Sequence, residues 1–343
     1  MFVFRQVKTE DFEALLSLAK HLGSAGNIPS DPDKLREQIE RSAKSFKKPS
    51  SRRADNLYMF ILEDYFRKII VGSSLIFAKH GTRQSPHTYL EILNKTHRDP
   101  STNIEVQHRL LRFEFDTDGP TEIGGLILHP DYRSSVAGLG AQLSYARFIY
   151  MGMFPDRFEE NVIAELLPPF NEQGSSELWE AFGKRFTGLS YKEADHLSRT
   201  NKDFIKNLFP REDIYTCLFN QKAQDEIGQT NRQTAAAKVL LEKIGFSFLN
   251  AVDPFDGGPH YGSRVSEVTV VKRMEAVGID TKTLDYGGNR VLLGFMAQGA
   301  FHCLLVHVKW VENGSKIMVS EDVLRLVTEL SYDESSVVIS PLL

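Results

Sequence analysis

Two cysteines, Cys217 and Cys303, among 343 residues supply neither a disulfide framework nor the paired spacing of a cysteine-bound metal. So sparse a use of thiols fits a reducing cytoplasm, and Cys217, inside Ile-Tyr-Thr-Cys-Leu, reads as core. Positive charge is not in excess either. The 41 Lys and Arg face 45 Asp and Glu, a net charge of −4 with both signs interspersed. That removes the electrostatic footprint of a nucleic-acid-binding protein. At Met1-Phe-Val-Phe-Arg-Gln-Val7 no basic segment leads into an apolar run, so no secretory leader is expected. The longest uncharged run, the 18 residues between Arg290 and Lys309, is interrupted by Gly294, Gln298, Gly299, His302 and His307. It reads as two neighbouring strands rather than a membrane span. What remains is an ordinary globular composition, long enough for two domains or one large domain built from two halves.

The pattern along the chain alternates strands and helices. Phe2 to Val7 is rich in β-formers, and Thr9 then caps a helix with Phe12, Leu15, Leu16 and Ala19 on one face. A short helix is expected over 33–45. Leu57–Glu63 and Ile69–Phe77 flank a five-residue connection and predict a hairpin. Residues 78–121 read as an irregular excursion with one strand near Leu110–Phe115. Glu122–Pro130 reads as a buried strand, Gly138–Met153 as a helix, Val162–Leu167 as a strand and Ser176–Phe182 as a helix. Two helices, one ending at Gly183 and one at Gly245, share a spacing of aromatic and apolar residues, which predicts a repeated unit with glycine at each C-terminal cap. Residues 276–343 form a β-rich tail with a helix over Ser320–Leu330.

The order of these elements resembles the acyl-CoA-dependent N-acyltransferase fold of the GNAT type. In that fold two central strands splay, so one strand's amides are left for the acyl thioester, and a pyrophosphate sits at the following helix N-terminus. A closer resemblance lies in Asp225-Glu-Ile-Gly-Gln-Thr-Asn-Arg-Gln-Thr-Ala-Ala-Ala-Lys-Val-Leu-Leu-Glu-Lys-Ile-Gly-Phe246 followed by Phe255-Asp-Gly-Gly-Pro259. This stretch is similar to the core of the arginine N-succinyltransferase family, which transfers a succinyl group from succinyl-CoA to the α-amine of arginine. The likeness covers most of residues 1–275. It implies an α+β fold with a mixed sheet and tandem GNAT-like halves. The expected divisions are an acyl-CoA-binding domain over 1–190, a second half over 191–275 and a β-rich segment over 276–343.

The resemblance also implies site residues. Arg133, Gly138 and Gly140 lie where a CoA pyrophosphate would sit, although four residues separate Arg133 from Gly138 where the family pattern has two. Leu126, with Leu128 in the same strand, matches a position whose backbone contacts the acyl-CoA. Glu165, in Ile-Ala-Glu-Leu-Leu, is a carboxylate among apolar neighbours, suited to accept a proton. Asp256 sits on a tight Asp-Gly-Gly-Pro turn that presents a carboxylate to a guanidinium or ammonium. Each of these residues also has a plain structural reading, as a turn, a strand leucine or a paired acid.

At the histidine of the family's Gly-Gln-x-His-x-x-Thr this chain has Asn231. Imidazole carries protons near neutral pH and an amide does not, so Asn231 is left to bond an oxyanion or position substrate. His260, after Pro259, is a candidate for the displaced base, with the alternative of an exposed turn histidine, and His129, which ends the acyl-binding strand before Pro130, is a further candidate. The stretch Glu267–Arg273 carries fewer arginines than the family pattern, which weakens the expected recognition of a dicarboxylic acyl group and leaves the succinyl identity of the donor open. The expectation is a cytoplasmic N-acyltransferase with succinyl-CoA as co-substrate and no metal, working by direct attack in a ternary complex. Arginine or a related amine is the acceptor, and a homodimer or a hetero-oligomer with a paralogue is expected, without nucleic acid or membrane. The alternatives are a non-catalytic relative that binds CoA or arginine, and an enzyme with another amine or acyl donor.

Overall fold

The computed structural model describes residues 1–22, 28–133, 138–198, 203–282, 284, 287–311 and 314–342. Its backbone is one long mixed sheet. The strands of four or more residues are β1 (Phe2–Gln6), β2 (Leu57–Asp64), β3 (Ile69–Phe77), β4 (His87–Asp99), β5 (Ile104–Asp116) and β6 (Thr121–Leu128). They continue as β7 (Asn161–Glu165), β8 (Ser247–Val252), β9 (Pro259–Arg264), β10 (Asn289–Ala297), β11 (Ala300–Trp310) and β12 (Val338–Pro341). Across the sheet they run β12-β10-β11-β1-β2-β3-β6-β7-β9-β8-β4-β5, with two-residue strands at either edge. The pairs along this order are antiparallel except β6 with β7, which is parallel.

Period-two alternation in β2 shows how the central strands are buried on both faces. Tyr58, Phe60 and Leu62 point to one face, where they meet helix α3 (Leu139–Met153). Leu57, Met59 and Ile61 point to the other, covered by α1 (Phe12–Leu22) and α2 (Pro32–Lys47). On the α3 face Phe4 stacks on Phe60 at 4.8 Å, and Tyr150 meets Phe60 edge-on at 5.3 Å. Each fully buried ring of this kind stabilises the fold by roughly 1.5–3 kcal/mol. The predicted hairpin, the helix over 33–45 and the strand pair over the uncharged run all appear, the last as β10 and β11. Among the described residues no helix is long and apolar enough to cross a membrane.

Three expectations are corrected. Residues 78–121 are not irregular: β4 and β5 pair over thirteen residues each, from His87↔Asp116 to Asp99↔Ile104. Only the inner halves, with Leu90, Leu111 and Phe113, are buried, so the outer halves carry no apolar alternation to read. Gly183 does not end a helix. Its φ is −54°, the helix runs on to Thr187, and Gly188 at φ 71° is the cap. Gly183 is small because a Cβ there would lie 2.3 Å from the ring of Trp179, whereas Gly245, at φ 100°, is a true cap. Cys217 is exposed rather than core, because its 3-10 turn lies beyond the last pairing of β5.

Candidate active site

The parallel pair β6–β7 holds for only two residue pairs, Thr121↔Val162 and Glu122↔Ile163. Beyond them the strands part. On its other edge β6 slips register against β3 between Leu75↔Gly124 and Ser73↔Ile127. Gly125 takes up that slip at φ 56°, where a Cβ would meet Leu75 at 2.9 Å. The opening is a cavity of about 400 Å³ lined by Leu126, Leu128, Arg133, Gly140 and Glu165, among others. The walls that close it are α3 and α4 (Arg232–Lys243). A split between parallel strands leaves backbone donors facing a cavity, the arrangement that a thioester carbonyl requires.

At the cavity's outer end, Arg133 Nε donates to Leu128 O at 3.1 Å, which ties the guanidinium to the end of β6. Residues 134–137 of the predicted phosphate loop lie outside the described residues. Gly138 is the N-cap of α3 at φ 91°, and a Cβ there would stand 2.7 Å from Nη2 of Arg290. The C-terminal segment therefore brings a cation to the helix N-terminus, where the dipole already favours anions. Gly140, in the first turn of α3, leaves its side open to the cavity.

The acidic end is formed by Glu165, Asp253 and Asp256, all lining the same cavity. Asp253 Oδ1 accepts from the amides of Phe255 and Asp256, and Asp256 Oδ1 accepts from Gly258 N at 2.8 Å. A Cβ on Gly258 would lie 2.3 Å from Leu166 O, so the motif's second glycine lets the turn approach β7. Burial first, then the charge of Asp253 and Glu165, pushes the Asp256 carboxyl well above the usual carboxylate range. Three acids gathered in this way have the chemistry to receive a cation.

Alternation along β7 places Val162, Ala164 and Leu166 toward α3 and Glu165 toward the opposite face. There it pairs in register with His260 of β9. His260 is 2% exposed, not on an exposed turn, and its Nε2 lies 3.7 Å from Glu165 Oε1. Burial lowers its pKa to about 4, so the ring is neutral. His87 Nε2 approaches the same carboxylate oxygen at 3.8 Å, and the His87 and His260 rings meet edge-on at 5.2 Å. His80 follows at 4.6 Å from His87 and holds Glu122 Oε2 through Nδ1 at 2.6 Å. Among the described residues, His80, His87 and Glu165 are the one set whose ligand atoms, within 4.8 Å of one another, could hold a metal ion.

Asn231 is the N-cap of α4. Its Oδ1 accepts from the amides of Gln233 and Thr234, both at 2.9 Å, and its own N–H donates to Leu167 O. Gln233 and Thr234 in turn line the cavity. His129 stands apart, at the start of a 3-10 turn, where Nδ1 accepts from Asp131 N at 3.3 Å.

Sequence reasoning missed Asp253, His80, His87, Glu122, Arg147 and Arg290. Asp253 stands three residues before Asp256 in the quoted motif, and Arg147 is the single charge on an apolar helix. Those were usable signals. His80 and His87 lay in the stretch read as irregular, and Arg290 is brought in from the far end of the chain.

The chain is similar to known proteins. A profile of the arginine N-succinyltransferase beta subunit family matches residues 2–270. Enzymes named arginine N-succinyltransferase from Shigella boydii serotype 18 and Escherichia coli strain K12 / DH10B are each 34% identical over 308 residues, 89% of this chain and 85% of theirs. Among solved structures, arginine/ornithine succinyltransferase subunit AI from Pseudomonas aeruginosa matches with a TM-score of 0.81 at 25% identity. That match covers 99% of this chain and 98% of the other.

Proposed function

The chain belongs to the arginine N-succinyltransferase family, and from that premise we propose that it transfers the succinyl group of succinyl-CoA to the α-amine of arginine. It is an acyl-CoA-dependent N-acyltransferase of the GNAT type. The observation that carries the reading is the single cavity, which joins the split between β6 and β7 to the acids Glu165, Asp253 and Asp256.

CoA lies along the cavity with its pyrophosphate at the N-terminus of α3, beside Arg133, Gly138 and Gly140. Its thioester carbonyl takes backbone donors of β6 around Leu126 and Leu128. Arginine enters with its positive groups toward Asp256 and Asp253, which charge-assisted hydrogen bonds favour. Binding a cation there also relieves the repulsion among the acids. The α-ammonium gives a proton to Glu165, directly or through water, and the free amine attacks the thioester carbon. The tetrahedral oxyanion collapses and the C–S bond breaks; the second proton of the attacking nitrogen passes to the departing CoA thiolate, so the amide and free thiol form and Glu165 returns its proton to solvent. No acyl-enzyme forms, so neither cysteine is needed.

His260 and His87 flank the carboxylate that accepts the proton, their Nε2 atoms 3.7 and 3.8 Å from its Oε1, and His260 is neutral and buried beside it. Asn231 carries no proton. It caps α4 and so fixes Gln233 and Thr234 in the wall. In this chain the proton task of the family histidine passes to Glu165 with His260. The matching family is described as a beta subunit and the similar solved structure as subunit AI, which supports an oligomer, as a homodimer or with a paralogue. A cytoplasmic site follows from the co-substrate, a metabolite of the cell interior.

The test is release of free CoA thiol from succinyl-CoA with L-arginine, beside acetyl-CoA, ornithine and no-amine controls. Arginine-dependent release supports the reading. Release no faster than the no-amine control, with either amine, contradicts it.

A further inference from the structure

Arg147 is the most deeply buried cation of the described chain, 2% exposed in the middle of α3, and it lines the same cavity as Glu165. Its guanidinium bonds only neutral oxygens. Nε donates to Ser144 O at 3.0 Å, Nη2 to Ser144 Oγ at 3.2 Å and Nη1 to Gly124 O at 3.4 Å. No carboxylate among the described residues forms an ion pair with it. A guanidinium offers five N–H donors in a planar fork, so these three bonds do not saturate it. Burying such a charge without a counter-ion is costly, and a fold retains it when a ligand supplies the missing charge.

The position fits one class of ligand. Gly124 and Gly125 form the bulge of β6 where its pairing with β7 has ended, and Nη1 of Arg147 is fixed to that bulge. An acyl chain whose thioester rests on β6 starts within reach of this fork. A monocarboxylic acyl group would bring only methyl or methylene to an unpaired guanidinium. A dicarboxylic one brings a carboxylate that accepts two parallel N–H bonds. Even with its pKa lowered to about 9 by burial, the side chain remains charged at neutral pH.

We propose that Arg147 reads the distal carboxylate of the acyl donor and selects a dicarboxylic acyl-CoA over an uncharged one of the same length. The inference rests on the reading that this cavity receives acyl-CoA. The two cations of the stretch Glu267–Arg273, Lys272 and Arg273, are both exposed, and Lys272 is paired with Glu267, whereas Arg147 lines the cavity itself.

The experiment is calorimetric, on the full chain, with succinyl-CoA, butyryl-CoA and CoA for the wild type, Arg147→Met and Arg147→Lys. Butyryl-CoA has the same four-carbon chain without the carboxylate. Wild type is expected to bind succinyl-CoA at least tenfold tighter than butyryl-CoA, a preference that Arg147→Met abolishes and Arg147→Lys reduces. Thermal melts of the free proteins show whether each variant is folded, and removing an uncompensated buried charge should leave Arg147→Met at least as stable as wild type. Equal affinity of the wild type for both donors overturns the proposal, as does a preference that survives in Arg147→Met. If no form binds CoA itself, the reading of the cavity fails, and this inference with it. If CoA binds but turnover is absent, the donor preference still decides the role of Arg147.

Discussion

Nε2 of His260 lies 3.7 Å from Oε1 of Glu165, the two side chains standing opposite each other on neighbouring antiparallel strands. One residue faces the acyl cavity and the other is buried behind it. A carboxylate backed by a neutral imidazole can accept a proton without help from the family histidine position. Glu165→Gln keeps the shape and removes the base, so kcat should fall by about 10²–10⁴. The KM for succinyl-CoA should change little. Steady-state kinetics at saturating donor check this, and an unchanged kcat would remove Glu165 from the mechanism.

His260 also links stability to pH. Its pKa is about 4 in the fold, against about 6.5 for an unperturbed imidazole. The unfolded chain therefore binds the extra proton first, and stability, complete above about pH 6.5, is lost as pH falls toward about 4. The cost of this one residue reaches about 3 kcal/mol. His302, buried with its pKa also lowered to about 4, adds a similar share. Denaturant unfolding near neutral pH and again at about pH 4.5 should show His260→Gln losing about 2 kcal/mol less than wild type. Parallel losses would mean that the ring is not held neutral.

Asp256 trades stability for binding. Its carboxyl is pushed up by burial and by Asp253 and Glu165, so in the free protein its ionised form is disfavoured. Asp256→Asn keeps the oxygen that accepts from Gly258 N and removes the ionisable group. The free variant should melt at the same temperature as wild type or higher, while KM for arginine rises on the order of ten- to a hundredfold. A lower melting temperature with unchanged KM would make Asp256 a structural turn residue only.

Asn231 is a cap first. Asn231→Ala removes the acceptor for two helix amides and should cost about 1 kcal/mol, whereas Asn231→Asp should retain most of it. Chemical denaturation compares the three proteins. A loss in Asn231→Asp equal to that in Asn231→Ala would contradict the capping role.

The sequence makes the central fold legible wherever burial imposes a period. Tyr58, Phe60 and Leu62 alternate with Leu57, Met59 and Ile61, and the strand and the helix that bound the cavity follow from similar runs. The arm formed by β4 and β5 is hidden because, past Leu93, both strands face solvent and their residues need no alternation. Gly183 misleads for a different reason. A glycine demanded by the ring of Trp179 looks the same in sequence as one demanded by positive φ. In the site, Glu165 and Asp256 are visible in motifs. Their neighbours His87 and His80, and Arg147 on the wall of the same cavity, are brought there by tertiary packing between segments that no local pattern relates. His260 is visible as a residue, but its burial against Glu165 depends on the register of β9 with β7.

The measurement closest to the central claim is ¹⁵N-edited NMR of the product made from succinyl-CoA and arginine labelled at the α-nitrogen. The account predicts a single new amide signal at that nitrogen, formed at the rate at which CoA thiol appears. Thiol release without that amide, or acylation at the guanidinium, would contradict it.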